Sequence, residues 1–411
     1  MKYDLEEIKK EAECCLNCKN KPCSKACPLS NDIPLFISHI KNEEYEKARE
    51  VLSKTAVMPS ICGRICPHGG QCEGHCVRGI KGEPVKIGML EAFASDITEA
   101  KYVCKEKNNI KIAVIGGGPA GLACAQELAI NGYNITIFER EEKLGGILNY
   151  GIPDFRLDRE IIDKSIKEVI DLGIEVKTNQ EFMKDFTIDD LFNQSYEKIF
   201  LGIGANISSF MKIEGIDLGF VLGGNELLRT GVHPDYKDKK VAIIGGGNVA
   251  MDVSRTVKRL GAKISTIIYR RSEEEMPASL HEIRDARLDN VEIMFQTNLT
   301  KIERNGRANL CKTELVKAEN EDRLVPVNVS GSEFYLNFDY IIMAVGAHLD
   351  KDIISKAGLE LDKSGYIKID ENYNTSIKNV FAGGDLIGTK GTVSAANKTG
   401  IEAAKYIMST F

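Results

Sequence analysis

The sequence predicts an α/β protein in which two Rossmann-like domains follow a smaller, helical, cysteine-rich domain. A glycine-rich turn between a strand-like run and a helix-like run occurs twice, near residues 116 and 245. That order of strand, turn and helix begins a doubly wound parallel sheet. Nine of the twelve cysteines fall between Cys14 and Cys76, which sets the first hundred residues apart. At 411 residues the chain is long enough for two or three domains.

Eight of these cysteines form two compact groups. The groups read Cys15-x2-Cys18-x4-Cys23-x3-Cys27, followed by Pro28, and Cys62-x3-Cys66-x5-Cys72-x3-Cys76. A short Cys-x2-Cys run that ends in Cys-Pro aims several thiolates at one cluster and the last one at a neighbour, as in two-cluster ferredoxins. The spacing therefore predicts an electron-transfer domain with iron–sulfur clusters.

Other uses of the cysteines fit less well. Structural zinc sites usually show two Cys-x2-Cys pairs, and only the first pair here has that spacing. A disulfide framework is disfavoured because residues 1–10 are charged and do not resemble a secretory signal. His68 and His75 lie near the cysteines and are alternative ligands, as imidazole is in Rieske centres.

Composition excludes several classes of partner. The net charge of −6 is modest and the basic residues are spread out, so we expect no nucleic acid. No apolar stretch reaches the ~18 residues that would cross a membrane. These features, together with the expected reduced cysteines, predict a soluble cytoplasmic protein.

The first glycine-rich turn predicts a dinucleotide site. It reads Gly116-Gly117-Gly118-Pro119-Ala120-Gly121, between the strand-like run 110–115 and the helix-like run 122–130. Gly116 allows a sharp turn, Gly118 lets the backbone approach a pyrophosphate, and Gly121 lets the helix pack closely on the strand. The next strand-like run, 134–138, ends in Glu139, whose carboxylate suits a ribose 2′-hydroxyl.

The second turn predicts a second dinucleotide, NADP in preference to NAD. It reads Gly245-Gly246-Gly247-Asn248-Val249-Ala250, after the run 241–244 and before a helix over 251–260. The following strand-like run, 264–269, ends in Arg270-Arg271 instead of an acid. A guanidinium binds a 2′-phosphate bidentately, whereas a carboxylate repels it. The alternative is a solvated basic turn.

Four segments carry a resemblance to a known family. They are the first turn, residues 145–153 beginning Gly145-Gly146, the second turn with residues 269–277, and Ala382-Gly383-Gly384-Asp385. With them the chain resembles the small (β) subunit family of NADPH-dependent glutamate synthase. It is also similar to the large subunit of NADH-dependent ferredoxin:NADP oxidoreductase and to the N-terminal half of dihydropyrimidine dehydrogenase. The resemblance implies FAD at the first turn and NADPH at the second.

The resemblance also implies which residues hold iron. In relatives the ligands of two [4Fe–4S] clusters interleave, so that one set is Cys15, Cys18, Cys23 and Cys76 and the other is Cys27, Cys66, Cys72 and Glu91. Cys62 then lies beside the second cluster without a metal bond, although it competes with Glu91 for the fourth position. Cys14 is a bystander. The isolated Cys104, Cys124 and Cys311 are expected to be buried structural thiols.

A strand-like run over 366–369 and a loop to Val380 lead to the C-terminal segment, which supplies the remaining flavin contacts that the resemblance implies. Gly384 permits close approach, and Asp385 holds the ribityl chain. Thr392 and Val393 open a helix whose positive end stabilises charge on the reduced flavin. Thr392 also suits an ordinary helix cap, and the two roles are compatible.

Three domains are therefore expected. The helical iron–sulfur domain covers 1–107, the FAD domain covers 108–205 and 346–411, and the NADPH domain covers 206–345. Segment 144–151 has no cysteine, so a reductase working through a dithiol is disfavoured. We expect hydride transfer from NADPH to the flavin and single electrons through the clusters, without a catalytic side chain. The expected partner is a glutamate synthase large subunit or, alternatively, a ferredoxin or flavoprotein.

Overall fold

Six short helices fill the first hundred residues. The computed structural model describes residues 3–317, 324–389 and 391–411, and every element given below belongs to them. The helices are α1 (Leu5–Glu13), α2 (Pro22–Ala26), α3 (Ile33–Lys41), α4 (Tyr45–Ser53), α5 (Pro59–Ile65) and α6 (Ile87–Ile97). Ile33, Phe36, Ile37 and Ile40 repeat at helical spacing on α3 and are buried against Phe93 of α6. The cysteine loops lie between these helices and are held by their core.

The chain then enters a parallel sheet. The elements are β1 (Lys111–Ile115), α7 (Pro119–Ile130), β2 (Asn134–Phe138), α8 (Ile147–Tyr150), α9 (Arg159–Ile170), β3 (Glu175–Lys177), α10 (Ile188–Asn193) and β4 (Lys198–Leu201). The strands are continuous apolar runs because helices cover both faces of such a sheet. Pro119 occupies the first position of α7, where its missing N–H costs nothing.

A second sheet follows in the chain. The elements of this part of the chain are β5 (Ile207–Ser208), β6 (Val221–Gly223), α11 (Gly224–Thr230), β7 (Lys240–Ile244), α12 (Asn248–Arg259), β8 (Ile264–Ile268), α13 (Leu280–Leu288) and β9 (Glu292–Met294). Then come β10 (Thr297–Ile302), β11 (Arg307–Val316), β12 (Val325–Asn328), β13 (Phe334–Asn337), β14 (Tyr340–Met343) and β15 (Ala347–His348). Strands β10 to β13 form a separate antiparallel sheet.

A buried ion-pair network holds α12 against α13. The Arg255 guanidinium lies 3.0 Å from a Glu282 carboxylate oxygen and 2.9 Å from an Asp289 carboxylate oxygen. Arg255 and Glu282 are both buried, so each charge depends on the other for its stability.

The chain ends by completing the first sheet. The last elements are α14 (Lys351–Lys356), β16 (Val380–Ala382) and α15 (Val393–Ser409). The first sheet has the order β3-β2-β1-β4-β16, and the second has the matching order β9-β8-β7-β14-β6, all parallel. This confirms the predicted α/β class. A β-run expected over 366–369 is wrong, since Ile367 makes only an isolated bridge to Leu361.

The chain divides into two compact units. The first comprises Met1–Asn149, Asp154–Ala205 and Leu349–Phe411, and the second comprises Tyr150–Pro153 and Asn206–His348. The first unit contains both the cysteine-rich helices and the first parallel sheet. The expected division into three functional domains, 1–107, 108–205 with 346–411, and 206–345, stays a prediction. Among the described residues no helix is both long and apolar enough to cross a membrane.

Candidate functional site

Four predicted ligands of the first cluster surround one cavity. Cys15, Cys18, Cys23 and Cys76 line one mostly apolar cavity, with Pro22, Ile33 and Ile87 among its other walls. Burial raises the pKa of Cys15 and of Cys23 above the usual thiol value. A bound iron must therefore displace their protons.

The predicted ligands of the second cluster also lie together. The charges of Cys27, Cys66, Cys72 and Glu91 act on one another within a buried part of the helical core. Burial raises the pKa of Cys27 to about 11 and holds that of Glu91 well above its usual range. Asn31 donates its amide to a Glu91 oxygen at 3.2 Å.

Cys62 belongs to this second group as well. Its thiol shares a hydrogen bond with Cys66, and it is buried. The structure therefore brings both Cys62 and Glu91 to the second group, and the choice between them stays a prediction. His68 Nε2 lies 3.1 Å from the Cys62 carbonyl oxygen, and His75 Nδ1 lies 2.7 Å from the Gln71 carbonyl oxygen.

The two groups suit a multi-iron cluster better than a single ion. Among residues 3–317, 324–389 and 391–411, no three His, Cys, Asp or Glu side chains converge on one metal ion. Zinc, with bonds of about 2.3 Å, would draw its thiolates to within about 3.8 Å of one another. The side chains of the described residues are not drawn together around one ion in this way.

The remaining cysteines fall into two environments. All twelve cysteines of the chain are free thiols. Cys124 and Cys311 are buried, as expected. Cys104 is exposed, so the expectation of a buried structural thiol is wrong there. It lies in the irregular segment after α6, where no helix or strand covers it.

The first glycine-rich turn has the geometry that a pyrophosphate needs. Gly116 adopts φ +99°, and a Cβ there would lie 2.6 Å from the Gly202 carbonyl oxygen. A Cβ on Gly121 would lie 1.9 Å from the Gly116 carbonyl oxygen, so only glycine allows this close packing. Gly118 precedes α7, with Gly146 as its near neighbour across an open space. The N-terminal N–H groups of α7, from Ala120 onward, open toward that space.

Glu139 is already engaged with the turn. Its carboxylate accepts the Gly117 N–H at 2.7 Å and the Glu141 N–H at 3.0 Å. Burial raises its pKa above the usual carboxyl value. A carboxylate has about four acceptor positions, so a ribose hydroxyl can still bind.

The C-terminal segment returns to this turn. A Cβ on Gly384 would lie 2.9 Å from Ala120 Cβ, which places the Gly384–Asp385 backbone beside the start of α7. Thr389 donates its hydroxyl to Asp385 at 2.7 Å, and burial raises the pKa of Asp385. Thr392 caps α15 by accepting the Ala395 N–H at 3.2 Å, and Val393 is buried behind it.

Asn397 is a polar side chain that sequence reasoning missed. It is fully buried on α15, and neither of its amide atoms has a hydrogen-bond partner among the described residues. Buried amides are nearly always satisfied. The site therefore fits a polar cofactor such as the flavin, whose ring carries several donors and acceptors.

Ser394 was also missed, and it joins the two cofactor regions. Its hydroxyl and its backbone N–H both donate to the Cys66 sulfur, and the serine is 2% exposed. Together with the Cys62 hydrogen bond, these donors lower the pKa of Cys66. Helix α15 thus contacts a predicted cluster ligand with the same turn that the resemblance assigns to the flavin.

The second glycine-rich turn repeats the first. Gly245 adopts φ +142°, and a Cβ there would lie 2.1 Å from the Ala344 carbonyl oxygen. Gly247 precedes α12 with no atom within 4 Å of an added Cβ, which leaves room for a phosphate. Asn248 accepts the Ser279 N–H at 3.1 Å, while Val249 and Ala250 pack into the core of this unit.

The two arginines after β8 differ. Arg270 is exposed, and no side-chain partner is present for it in the described parts of the chain. Arg271 donates its Nε to the Leu324 carbonyl oxygen at 3.0 Å. Arg270 is therefore the freer of the two for an anionic ligand, a distinction that sequence alone did not make.

Comparison with known proteins matches this architecture. Residues 110–403 match the family described as pyridine nucleotide-disulphide oxidoreductase, and residues 1–103 match dihydropyrimidine dehydrogenase domain II, 4Fe-4S cluster. The small chain of NADPH glutamate synthase from Escherichia coli K12 is 34% identical over 98% of this chain and 91% of its own length.

The chain belongs to the glutamate synthase small-chain family. This membership confirms the predicted resemblance, and the iron–sulfur and nucleotide domains make the chain an NADPH-dependent flavin and iron–sulfur oxidoreductase. Members of this family are not confined to one enzyme. The β subunit of NADP(+)-dependent formate dehydrogenase from Moorella thermoacetica is 35% identical over 93% of this chain, which spans 59% of that protein.

A solved structure shares the nucleotide-binding fold. FprA from Mycobacterium tuberculosis, in complex with NADPH, has a TM-score of 0.64 and 17% identity. The match covers 74% of this chain and 84% of FprA. At that identity the likeness concerns the fold alone. The individual cofactor ligands named above stay predictions.

Proposed function

We propose that the chain takes electrons from NADPH and passes them through FAD and two [4Fe–4S] clusters to a separate subunit. The observation that carries this proposal is the contact of Ser394, in the first turn of α15, with Cys66 of the second cysteine group. When bound, the flavin accepts a hydride and releases its electrons singly to one-electron centres. The residues of α15 that would hold the flavin lie beside a predicted cluster ligand, which would favour a short transfer.

The chain's own residues bind the FAD and the NADPH and orient them. In the first unit, the turn at Gly116 and the start of α7 receive the FAD pyrophosphate, and Asp385 fixes the ribityl chain. In the second unit, the turn at Gly245 and the start of α12 receive the NADPH pyrophosphate, and Arg270 binds the 2′-phosphate. No proton donor is needed, because hydride and electron transfer depend on position and electrostatics.

The partner we propose is the large subunit of glutamate synthase. The E. coli relative, matched over 91% of its length, is named as the small chain of that enzyme. The described residues are used by two nucleotide folds and a cysteine-rich helical core. Formation of glutamate from glutamine and 2-oxoglutarate then belongs to the partner.

Assay of the isolated holoprotein and of the complex tests this function. The reconstituted chain, kept anaerobic, should oxidise NADPH with a neutral quinone and should make no glutamate. Addition of a co-purifying large subunit should start NADPH-dependent glutamate formation. Glutamate formed by the isolated chain would contradict the proposal.

A second partner is favoured by the Moorella relative, whose 35% identity to this chain is similar to the 34% of the E. coli protein. In this case the chain exchanges electrons with a ferredoxin, a flavoprotein or a dehydrogenase subunit. The same assay separates the two cases. NADPH-dependent reduction of ferredoxin by the co-purified complex, without glutamate formation, identifies the second.

A further inference from the structure

Exposed apolar side chains surround the first cysteine group. Leu16, between Cys15 and Cys18, is 61% exposed, and Ile80, shortly after Cys76, is 77% exposed. Leu16 also lines the same cavity as the four cysteines. Exposed apolar side chains mark an interaction site when they form a patch within a polar rim.

The two loops that supply these cysteines are strongly basic. Segments 15–26 and 76–86 contain six basic residues and one acidic residue, in a chain whose net charge is −6. The basic residues are Lys19, Lys21, Lys25, Arg78, Lys81 and Lys86, and the acidic residue is Glu83. Lys21 pairs with Asp32, and Lys86 pairs with Glu7. Within these two segments the charge is therefore opposite in sign to that of the whole chain, and Glu11 and Glu73 lie at their edges.

Four of these residues form what we call the basic collar: Lys19, Lys25, Arg78 and Lys81. In the part of the chain that the structure describes, no carboxylate is within ion-pair distance of any of them. Arg78 lines the cysteine cavity itself. Surface cations without internal partners raise the positive potential at the site and attract an oppositely charged protein.

The two cysteine groups differ in their access to solvent. Three cysteines of the first group, Cys15, Cys18 and Cys76, are partly exposed and Cys23 is buried. In the second group Cys66 and Cys72 are buried and only Cys27 is partly exposed. The second group is also the one in contact with Ser394. The first group is therefore the one that an external protein can reach.

We propose that the basic collar and the apolar residues Leu16 and Ile80 form the docking face for an acidic protein that carries its own one-electron centre. This proposal rests on the proposed function and specifies the chemistry of the partner. An apolar centre within a charged rim has the composition of a transient protein interface. A second copy of this chain is disfavoured, because a twofold contact would place one collar against the other.

The electron balance is simple. Each encounter moves one electron from the first cysteine group's cluster to the oxidised centre of the partner, with no bond made or broken. Two encounters discharge the electron pair supplied by one NADPH. The nicotinamide product is NADP⁺, and the one proton in excess passes to solvent.

Binding of defined probe proteins to the holoprotein tests the docking face. The probes are an acidic bacterial two-cluster ferredoxin and the basic protein cytochrome c, both oxidised. Dissociation constants are measured by calorimetry at ionic strengths of about 0.01 M and about 1 M, between which the Debye length falls from about 30 Å to about 3 Å. We expect ferredoxin to bind at low salt and to be at least tenfold weaker at high salt, in line with the screening of such charges.

Charge-reversal variants locate the contact. Lys81→Glu should weaken ferredoxin binding about tenfold at low salt. Reversing the charge replaces an attraction across about 6 Å by an equal repulsion, so the interaction energy changes by twice that of the original ion pair. Ile80→Ser should weaken binding without changing its salt dependence. Lys363→Glu, at an exposed position in the first unit, is the matched control and should bind as the wild type. Equal weakening by Lys363→Glu, unchanged binding by Lys81→Glu, or preference for cytochrome c would overturn the proposal.

A separate measurement distinguishes failure of the proposed function from failure of the proposed docking face. NADPH-dependent bleaching of the cluster absorbance is recorded on the same proteins without any probe. Absence of bleaching would refute the electron path from NADPH, while the dissociation constants still decide the docking face. Normal bleaching in Lys81→Glu, with weakened ferredoxin binding, is the expected pair of results.

Discussion

Replacement of Ser394 by alanine tests the link between α15 and the second cysteine group. The variant removes the hydroxyl donor to Cys66 and leaves the backbone donor of the same residue in place. The cluster should therefore still assemble, as checked by the iron content. We expect its reduction potential to fall, because a hydrogen bond to a ligand sulfur stabilises the more negative, reduced cluster.

The size of the shift follows from the energy of one hydrogen bond. Such a bond contributes about 0.5–1.5 kcal/mol between neutral groups and about 1.5–3 kcal/mol to a charged one. Adding one electron to the cluster makes the ligand sulfur more negative, so the hydrogen bond from Ser394 should strengthen by about 1 kcal/mol. Since about 1.36 kcal/mol corresponds to about 59 mV for one electron, the potential of Ser394→Ala should be lower by about 40 mV.

Redox titration followed by electron paramagnetic resonance measures this potential directly. Ser394→Thr keeps a hydroxyl and should restore most of the shift. Ser254→Ala is the matched control, because Ser254 is a buried helical serine of the second unit whose hydroxyl donates to the Met251 carbonyl oxygen. A shift of less than about 10 mV in Ser394→Ala, or an equal shift in Ser254→Ala, would refute a role of this hydroxyl in tuning the cluster.

Three further changes test other parts of the site. Cys72→Ala should remove one cluster and with it about half of the iron, whereas Cys62→Ala should leave the iron content nearly unchanged. Equal losses of iron in the two variants, measured by iron assay, would contradict the interleaved ligand assignment. Arg270→Ala should raise KM for NADPH about tenfold to hundredfold more than KM for NADH, and parallel changes in steady-state kinetics would show that it does not bind the 2′-phosphate. Arg255→Ala leaves the buried Glu282 carboxylate without its main partner and should lower the unfolding free energy by about 3–5 kcal/mol, measured in urea. A loss below about 1 kcal/mol would show that solvent replaces the guanidinium.

The fold was predictable where local chemistry dictates it. Each glycine-rich turn requires glycine at a positive φ or at a close backbone contact, so the sequence itself marks the start of both parallel sheets. Helix bounds were less certain. α7 begins at Pro119, three residues before the expected start, because proline is accommodated in the first helical turn.

The contacts between distant segments could not be predicted. Ser394 lies in a motif that reads as an ordinary helix start, and nothing in its local sequence relates it to Cys66. The expected strand over 366–369 fails for a related reason. Its apolar pattern is compatible with a strand, but the tertiary structure supplies only one bridging residue, Leu361, as a neighbour. Both the Ser394–Cys66 contact and the missing strand depend on which distant part of the chain lies beside the segment in the folded protein.

In this arrangement side chains, and not helix α15 itself, should set the difference in reduction potential between the flavin and the second cluster. Its N-terminal turn carries a partial positive charge, which stabilises negative charge on any group placed there. The Cys66 sulfur accepts the Ser394 N–H at this turn, and the resemblance places the flavin at the same end. The helix dipole should therefore stabilise negative charge on the flavin and on the cluster alike, by about 0.3–1 kcal/mol each. Its effect largely cancels from the difference between the two reduction potentials. The Ser394 hydroxyl acts on Cys66, a predicted cluster ligand. The difference in potential between flavin and cluster should consequently respond to Ser394→Ala by nearly the full shift of the cluster.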